Sequence, residues 1–463
     1  MSAHTFQKSN SPDSILLIIA FLGLVYLLSF VIPSGRYERI ESQGRTVLVP
    51  GSYQPVEKDF QSIMKLLSAP ARGFTASAEV IAFVLLIGGA FGVINATGAL
   101  ESGLKSMVEL TTRHKILHRI FPAVLIFIFS LAGNTFGMSE EVIVFVLIIL
   151  PLARQMGYDT LTGLAIPFIG AGVGFAGAAF NPFTVGIAQG IAELPPFSGF
   201  EYRMVIWSVF TLAAVVFIYR HMYKISLKPE AGYFSEIPFQ ESSSNPRNEI
   251  TLRHKLVIMI FLGGILLLIA GVKLWNWYIP ELAGLFIGVA VISAGIAGLR
   301  AGDGVGSFLK GCGDMLPVVV IIGLSRSILV LAEDSLIIDT ILHAVVSATG
   351  HLPLEAAVQI MFLVQGMINF FIPSGSGQAA LTMPLMTPLA DLLGIHRQTA
   401  VLAFQFGDGI FNMIIPTSGV TMGVLSIAKV PYRIWLSWCG KLIIWLVILS
   451  MAALAISVVL NVW

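Results

Sequence analysis

The residues best suited to chemistry in this chain are polar and helix-breaking residues inside long apolar segments. They fall in two stretches, 133–189 and 372–426. At membrane depth such residues are tolerated only where they are buried in protein or line a cavity. The sequence therefore predicts one binding site built from both stretches. We expect its contact residues to be Asn134, Thr135, Ser139, Glu140, Asn181, Thr184, Ser374, Ser376, Gln378, Asp408, Thr417 and Ser418.

Four positions in these stretches can cap the N-terminus of a helix. Asn181 is the clearest, because it stands directly before Pro182, and proline is favoured in the first helical turn. Ser139, Ser374 and Ser418 stand at similar restarts. A helix N-terminus carries about half a positive elementary charge and suits a carboxylate. Ordinary loop caps are the alternative, but breaks in both stretches would be costly at membrane depth.

Acidic residues give the predicted site its charge. Asp408 lies between two glycines, and a carboxylate in an apolar segment is a functional candidate, with a structural ion pair as the alternative. Glu140 and Glu141 face different directions on a helix, so we expect at most one to reach the site. If these carboxylates line the cavity, it suits an amino acid, particularly a cationic one. If they bind Na⁺ or a proton instead, it suits a plain carboxylate.

Arg326 is a cation inside an apolar segment and could bind a substrate carboxylate. We expect it instead to reach toward the membrane surface and pair with Glu333 or Asp334. No cofactor is expected beyond a coupling Na⁺ or H⁺. Oxygen atoms for Na⁺ are expected near Gly133, Asn134, Asn181, Gly375 and Thr417.

An enzyme is not expected. The eight histidines form no ligand-spaced cluster, and no nucleophile stands in a recognisable arrangement with a base. The segment 172–177 matches the glycine pattern of a dinucleotide-binding loop. It follows no predicted strand and lies in an apolar run, so it predicts close helix packing.

The composition is that of a membrane protein. Hydrophobic residues make up 56% of the chain, charged residues 11%, and the mean hydropathy is +0.86. Ordinary soluble domains carry about 25% charged residues. A net charge of +1 gives no reason to expect a nucleic-acid partner. The class is therefore an all-α polytopic membrane protein whose surroundings are the lipid bilayer.

The apolar segments predict nine crossings and two re-entrant hairpins. The arms of the first hairpin, about 120–132 and 142–153, are each shorter than the ~20 residues that span a bilayer. Basic residues place the 101–119 loop and the linker in the cytoplasm, so the N-terminus is cytoplasmic and the C-terminus periplasmic. The predicted parts are a first repeat at 1–219, with hairpin 119–155 and broken helix 161–192; a linker at 220–255; and a second repeat at 256–463, with hairpin 354–393 and broken helix 399–428.

The two halves resemble each other at nearly constant spacing. Pro151 and Gly157 recur as Pro388 and Gly394, 237 residues later. Outside the hairpins the offset is 235, as between 87–88 and 322–323. With opposite predicted topology, the halves form an inverted repeat, which is typical of transporters that bind substrate near the bilayer midplane. After the first helix, 37–40 and 46–49 predict a small strand hairpin, and 62–74 predicts an amphipathic segment.

Several of these stretches resemble a known family. The segments 32–39, 133–141, 181–184 and 372–379 are similar to YfcC-type carriers. These are related to the anaerobic dicarboxylate carriers (DcuC-like) and the arginine–ornithine antiporters of the ion transporter superfamily. The resemblance implies an elevator-type secondary carrier of the bacterial inner membrane, often a homodimer, whose hairpins and broken helices move together.

We therefore expect a secondary transporter of small carboxylate-bearing metabolites. Amino acids are the expected substrates, basic ones above all, moved by exchange or by ion-coupled uptake. A Na⁺- or H⁺-coupled dicarboxylate carrier is the alternative. An ion channel would have the same hydropathy and is a third interpretation.

Overall fold

The computed structural model describes residues 12–42, 45–49, 51–57, 62–100, 102–103, 106, 115–234, 251–275, 277, 279–349, 352–460 and 462–463. Most described residues are helical, which confirms the predicted all-α class.

The chain begins with one helix and four short strands: α1 (Pro12–Val31), β1 (Gly35–Arg36), β2 (Arg39–Ser42), β3 (Arg45–Leu48) and β4 (Gln54–Pro55). The helices that follow in the first half are α2 (Ile63–Ala76), α3 (Ala78–Ala96), α4 (Lys115–Phe136), α5 (Val142–Gln155), α6 (Thr160–Ala176), a π-helical turn (Pro182–Gly186), α7 (Ile187–Ile191), α8 (Phe200–Leu227) and a 3₁₀ turn (Pro229–Ala231).

Helices also make up the second half. They are α9 (Leu252–Trp275), α10 (Ile279–Ala297), α11 (Ala301–Asp314), α12 (Leu316–Asp334), α13 (Ile337–Thr349), α14 (Leu354–Phe371), α15 (Gly375–Leu393), α16 (Arg397–Phe411), α17 (Gly419–Ile427) and α18 (Tyr432–Val459).

Seven helices in the described part are long and apolar enough to cross a bilayer. They cover Ala78–Ala96, His118–Thr135, Phe200–Leu227, Ile279–Ala297, Leu316–Asp334, Leu354–Phe371 and Tyr432–Val459. The protein is therefore a multi-pass membrane protein.

The first arm of the first predicted hairpin is longer than expected. Helix α4 continues to Phe136 through Gly133, Asn134 and Thr135, which the sequence placed in a polar tip. Thr135 permits this because its hydroxyl donates to the Leu131 carbonyl, 2.7 Å away, inside the helix. The expectation that this arm is too short to cross was wrong. Re-entry of the hairpins stays a prediction.

The predicted linker also starts later than expected. Residues 220–227 extend α8 because no glycine or proline interrupts them before Pro229. Residues 235–250 lie outside the described part of the chain.

The small strand hairpin is present where the sequence predicted it. β2 pairs with β3 in antiparallel register, with Arg39 opposite Leu48. It is tied to the second half by Asp339, which accepts from the Tyr37 amide and from Arg39, each at 2.9 Å.

Helix packing divides the chain into two groups. We call α1–α3 and α9–α12 group I, and α4–α8 and α14–α18 group II, because members of each pack mainly on one another. The main contact between the groups is α12 against α17. There Gly419 and Gly423 of α17 face Ile322 and Val318 of α12 closely enough that a methyl group on either glycine would touch them.

In group I, each half of the chain contributes a helix that packs on a helix of the other half. Helix α2 of the first half packs on α12 of the second, and α11 of the second packs on α3 of the first. Gly73 lies against Gly323 and Ser327, and Gly311 lies against Gly88. The amphipathic segment predicted at 62–74 is thus a helix that packs along a crossing helix through its small-residue face.

One polar cluster holds three helices of group II together. Asp159 caps α6 by accepting from the Thr162 amide at 3.0 Å, and it also accepts from His221 Nε2 at 3.0 Å. Trp438 donates its indole N–H to His221 Nδ1, so the proton of His221 stands on Nε2, facing Asp159. Burial would raise the pKa of Asp159, but the hydrogen bonds from His221 and Thr162 lower it.

Asp159→Ala should lower the free energy of unfolding by about 2–3 kcal/mol, through a lost cap and buried donors left without an acceptor. Because the folded pKa lies below the usual 3.8, the stabilisation is present above that pH and disappears as the pH falls through the folded pKa. Thermal unfolding in detergent measures the difference. Asp303→Ala, at an exposed acid in the first turn of α11, is the control and should change little.

Candidate functional site

A cavity of about 300 Å³ lies where both hairpin ends and both helix breaks meet. Group II supplies most of its lining. The α2–α3 junction at Ser77 and the α12 residues Ile322, Ser325, Arg326 and Leu329 close it from group I. The cavity therefore lies between the two helix groups.

Four helix starts converge on this cavity, as the sequence predicted. Ser374 caps α15 by accepting from the Gly377 amide, and Ser418 caps α17 by accepting from Thr421. Asn181 caps the π-helical turn by accepting from the Phe183 amide at 2.9 Å. The fourth start is that of α5, whose N-cap residue is Glu141 and which has no side-chain cap, so the expectation that Ser139 caps this helix was wrong.

Seven of the twelve predicted contact residues line the cavity: Ser139, Glu140, Thr184, Ser374, Ser376, Thr417 and Ser418. The hydroxyls of Thr184 and Thr417 are buried, and neither has a hydrogen-bond partner among the described residues. Buried hydroxyls are usually satisfied, so these two are free to contact a ligand.

Two predicted asparagines support the cavity from behind. Asn134 Oδ1 accepts from the Ala179 amide at 2.6 Å, which ties the end of α4 to the break after α6. Gly137 adopts a φ of +71° and lies against the Asn181 side chain, where a Cβ would approach Oδ1 to 2.5 Å. Asn134 and Asn181 therefore do not line the cavity; they shape its wall.

Thr135 and Gln378 are also outside the lining. The Thr135 hydroxyl donates a hydrogen bond to the backbone of its own helix, as described above. Gln378 Nε2 donates to the carbonyl of Gln365 at 2.8 Å and to its side-chain oxygen at 2.7 Å, joining α14 to α15. The sequence placed both in the site because polar residues cluster there, but helix orientation turns them away.

Asp408 does not line the cavity itself but contacts a residue that does. Its Oδ1 accepts from Asn412 Nδ2 at 2.9 Å, and Asn412 lines the cavity. Its Oδ2 is buried, has no donor in the part of the chain that the structure describes, and lies beside Gly375, where a Cβ would approach it to 2.8 Å. A Cβ there would also meet Thr184 Cγ2. The carboxylate thus stands close behind the start of α15.

Both hairpin glutamates line the cavity, so the expectation that at most one would reach it was wrong. The chain turns between α4 and α5, and Glu140 and Glu141 belong to this turn rather than to the helix that was assumed. Glu141 Oε2 accepts from the Ser139 amide at 3.0 Å.

Arg326 also lines the cavity, and its expected pairing with Asp334 was wrong; its charge acts on Glu333, without a close ion pair among the described residues. Asp334 is bound by Arg72, which donates two N–H groups to it. Glu333 is exposed and lines a separate outer pocket with Arg36 and Arg39.

The sequence analysis missed Asn369 and Asn412. Asn369 Nδ2 donates to the Asp408 carbonyl at 2.9 Å, and its Oδ1 is buried without a partner. Asn369 stands 235 residues after Asn134, the spacing found elsewhere in the repeat, so that offset could have pointed to it. Asn412 has no matching polar residue at a constant offset.

Only two of the five positions expected to supply oxygen atoms for Na⁺ line the cavity. Gly375 and Thr417 line the cavity, whereas Gly133, Asn134 and Asn181 do not. Gly133 is packed against the Ala171 carbonyl, where a Cβ would approach to 2.2 Å.

A multi-pass helical protein with a charged cavity among interrupted helices has the architecture of a membrane transporter. The family model described as "C4-dicarboxylate anaerobic carrier" (DcuC) matches residues 11–459. The chain belongs to this family and is a transporter.

Two relatives match nearly end to end. The "Putative basic amino acid antiporter YfcC" of Escherichia coli K12 is 34% identical over 97% of each chain. An uncharacterized protein of Haemophilus influenzae is 26% identical over 99% of each chain.

Two solved structures are also similar. The YdaH transporter of Alcanivorax borkumensis has a TM-score of 0.45 at 16% identity, covering 97% of this chain and 99% of its own. MtrF of Neisseria gonorrhoeae, from a class of antimetabolite efflux pumps, has a TM-score of 0.40 at 17% identity, covering 96% and 95%.

Proposed function

We propose that this protein is a secondary active transporter of basic amino acids, working by exchange or by ion-coupled uptake. The cavity carries the proposal, because Glu140, Glu141 and Arg326 share its walls. A basic amino acid has two cationic groups and one carboxylate, which match two carboxylates and one guanidinium charge for charge. The relative described as a basic amino acid antiporter supports the same substrate class.

A dicarboxylate carrier is the second candidate, and the family description favours it. A dianion would meet one guanidinium, the helix starts and two carboxylates in this cavity. Two like charges facing the ligand oppose its binding unless they are first protonated. Dicarboxylate transport would therefore need Glu140 and Glu141 neutral and would be favoured at low pH.

We propose that group II moves against group I during transport, as in an elevator. The contact between α12 and α17 supports this, because it is formed by small and apolar residues that can slide. The reciprocal packing of α2 on α12 and α11 on α3 supports an inverted repeat. We also propose a homodimer in the bacterial inner membrane with a cytoplasmic N-terminus.

We propose Asp408 as the group that takes up a coupling ion. Its Oδ2 has no hydrogen-bond donor in the described structure, and a buried carboxylate oxygen in that position is costly while it stays charged. A proton or Na⁺ would remove that cost. The oxygen lies behind Gly375 and Thr184, so its charge can be felt in the cavity.

Counterflow in proteoliposomes tests the transport proposal. Vesicles loaded with unlabelled arginine should accumulate labelled arginine and ornithine, and labelled succinate should stay outside. Accumulation of succinate alone would mean that the substrates are dicarboxylates and not basic amino acids. A channel would show conductance but no counterflow.

Thr184→Ala and Ser376→Ala should each raise the half-saturation constant about 3–10-fold, because each removes one hydroxyl from the cavity wall, worth about 0.5–1.5 kcal/mol. Initial uptake rates over a substrate series measure this. Thr135→Ala is the matched control, since its hydroxyl bonds the helix backbone. Unchanged constants in both cavity variants would mean that these hydroxyls do not contact substrate.

A further inference from the structure

We propose that Arg326 binds the α-carboxylate of the substrate and thereby makes the carrier select amino acids over the corresponding amines. This assignment rests on the proposed transport of basic amino acids and names the residue that binds their carboxylate end. Arg326 lies near the middle of α12, in group I, and its side chain reaches the cavity.

Arg326 forms no close ion pair within the described part of the protein, although its charge acts on Glu333 at the end of the same helix. Its Nε is buried, and this N–H has no acceptor to donate to among the residues that the structure describes. Of the two acids at the end of the same helix, Asp334 is bound through both oxygens by Arg72, and Glu333 is exposed and forms no hydrogen bond with Arg326 in the described structure. A guanidinium at membrane depth without a counter-ion is costly. A carboxylate that enters the cavity would supply that counter-ion.

The chemistry of arginine fits this role. Its planar guanidinium donates two parallel N–H groups to one carboxylate, which fixes orientation as well as charge. Lysine would supply the charge without the two-point geometry. Arg326 is therefore suited to hold a carboxylate in one orientation within the cavity.

The two glutamates complete the orientation. Glu140 and Glu141 come from the turn between α4 and α5, in group II, whereas Arg326 comes from group I. A basic amino acid bound to all three would have its carboxylate at α12 and its cationic groups at that turn. The substrate would then connect the two helix groups, and only a molecule with both kinds of charge would do so.

A substrate without its carboxylate would leave the half-buried Arg326 without a hydrogen-bonded partner in the cavity. Sites built to bind a polar group reject analogues that lack it, because their own buried groups lose their partner. We expect wild-type carrier to prefer arginine over agmatine, which is arginine without the carboxylate, by about 100-fold. This corresponds to ~2.7 kcal/mol.

The test measures inhibition of labelled-ornithine counterflow by arginine and by agmatine. Arg326→Gln should bring the preference close to one by weakening arginine while leaving agmatine unchanged, and Arg326→Lys should give an intermediate preference. Arg72→Gln is the matched control: it removes a guanidinium outside the cavity and should leave the preference intact. Where Arg326→Gln does not reach the membrane, Arg326→Lys carries the test.

The outcomes separate this inference from the proposed function. A wild-type carrier that transports ornithine, with the full preference for arginine kept in Arg326→Gln and Arg326→Lys, would overturn the role of Arg326 alone. A carrier that moves succinate and neither amino acid would overturn the proposed function. In that case, inhibition of succinate counterflow by succinate and by its monoamide, succinamate, is compared in the same variants. This comparison tests whether Arg326 binds a carboxylate.

Discussion

Asp408→Asn is expected to reduce transport by about two orders of magnitude while the protein still folds and reaches the membrane. Asparagine keeps the shape of the side chain and can still accept from Asn412, whose amide lies 2.9 Å from Oδ1. What disappears is the charge on Oδ2, the oxygen beside Gly375 that has no donor in the described structure. Losing an interaction with a buried charged group costs about 1.5–3 kcal/mol.

The same variant should be at least as stable as wild type in detergent. A buried carboxylate oxygen without a donor opposes folding when it is charged, and a neutral amide removes that penalty. This separates a functional charge from a structural one, because loss of a structural ion pair would lower the melting temperature. Asp303→Asn, at an exposed position on α11, is the control for uptake and stability.

Near-normal uptake by Asp408→Asn would show that its charge is not needed for transport. Lost uptake together with a large fall in melting temperature would instead assign Asp408 a structural role. Measuring uptake at several Na⁺ concentrations and pH values then shows which ion the wild-type carboxylate takes up. A Na⁺ or pH dependence that is present in wild type and absent from any residual activity of the variant supports a coupling role.

Gly174→Ala is expected to remove most of the folded protein. Helix α6 crosses α4 so closely at Gly174 that a Cβ would lie 2.0 Å from the Ser130 carbonyl oxygen. The neighbour is backbone, so it cannot rotate away, and the two helices must separate. Overpacking in a tight core costs about 1–3 kcal/mol and more where backbone must move. The α4–α6 contact also holds Asn134 against the break after α6.

Gly263→Ala is the matched control, since nothing lies within 4 Å of the Cβ it adds in the middle of α9. It should be neutral or slightly stabilising, because alanine is the better helix former. Size-exclusion profiles and melting temperatures in detergent measure both variants. A folded Gly174→Ala protein with normal melting temperature would mean that α4 and α6 are not in this close contact.

Much of this architecture follows from local features of the chain. Composition excludes a soluble protein, and Asn181-Pro182 and Ser374-Gly375 place helix starts at the positions found in the structure. Capping depends on residues a few positions apart, which is why a sequence reveals it. The spacing between the halves brought both stretches to the same cavity in prediction and in structure.

Which residues line the cavity depends on contacts between residues far apart in the chain. Glu333 or Asp334 was expected to pair with Arg326 because all three lie on one helix, yet Arg72 of another helix binds Asp334. Glu141 reaches the cavity because α5 begins one residue after it, at Val142. Gln378 turns away because Gln365 accepts its amide. Residue type and spacing predict where helices start and break, but orientation and partner choice are set when the helices pack.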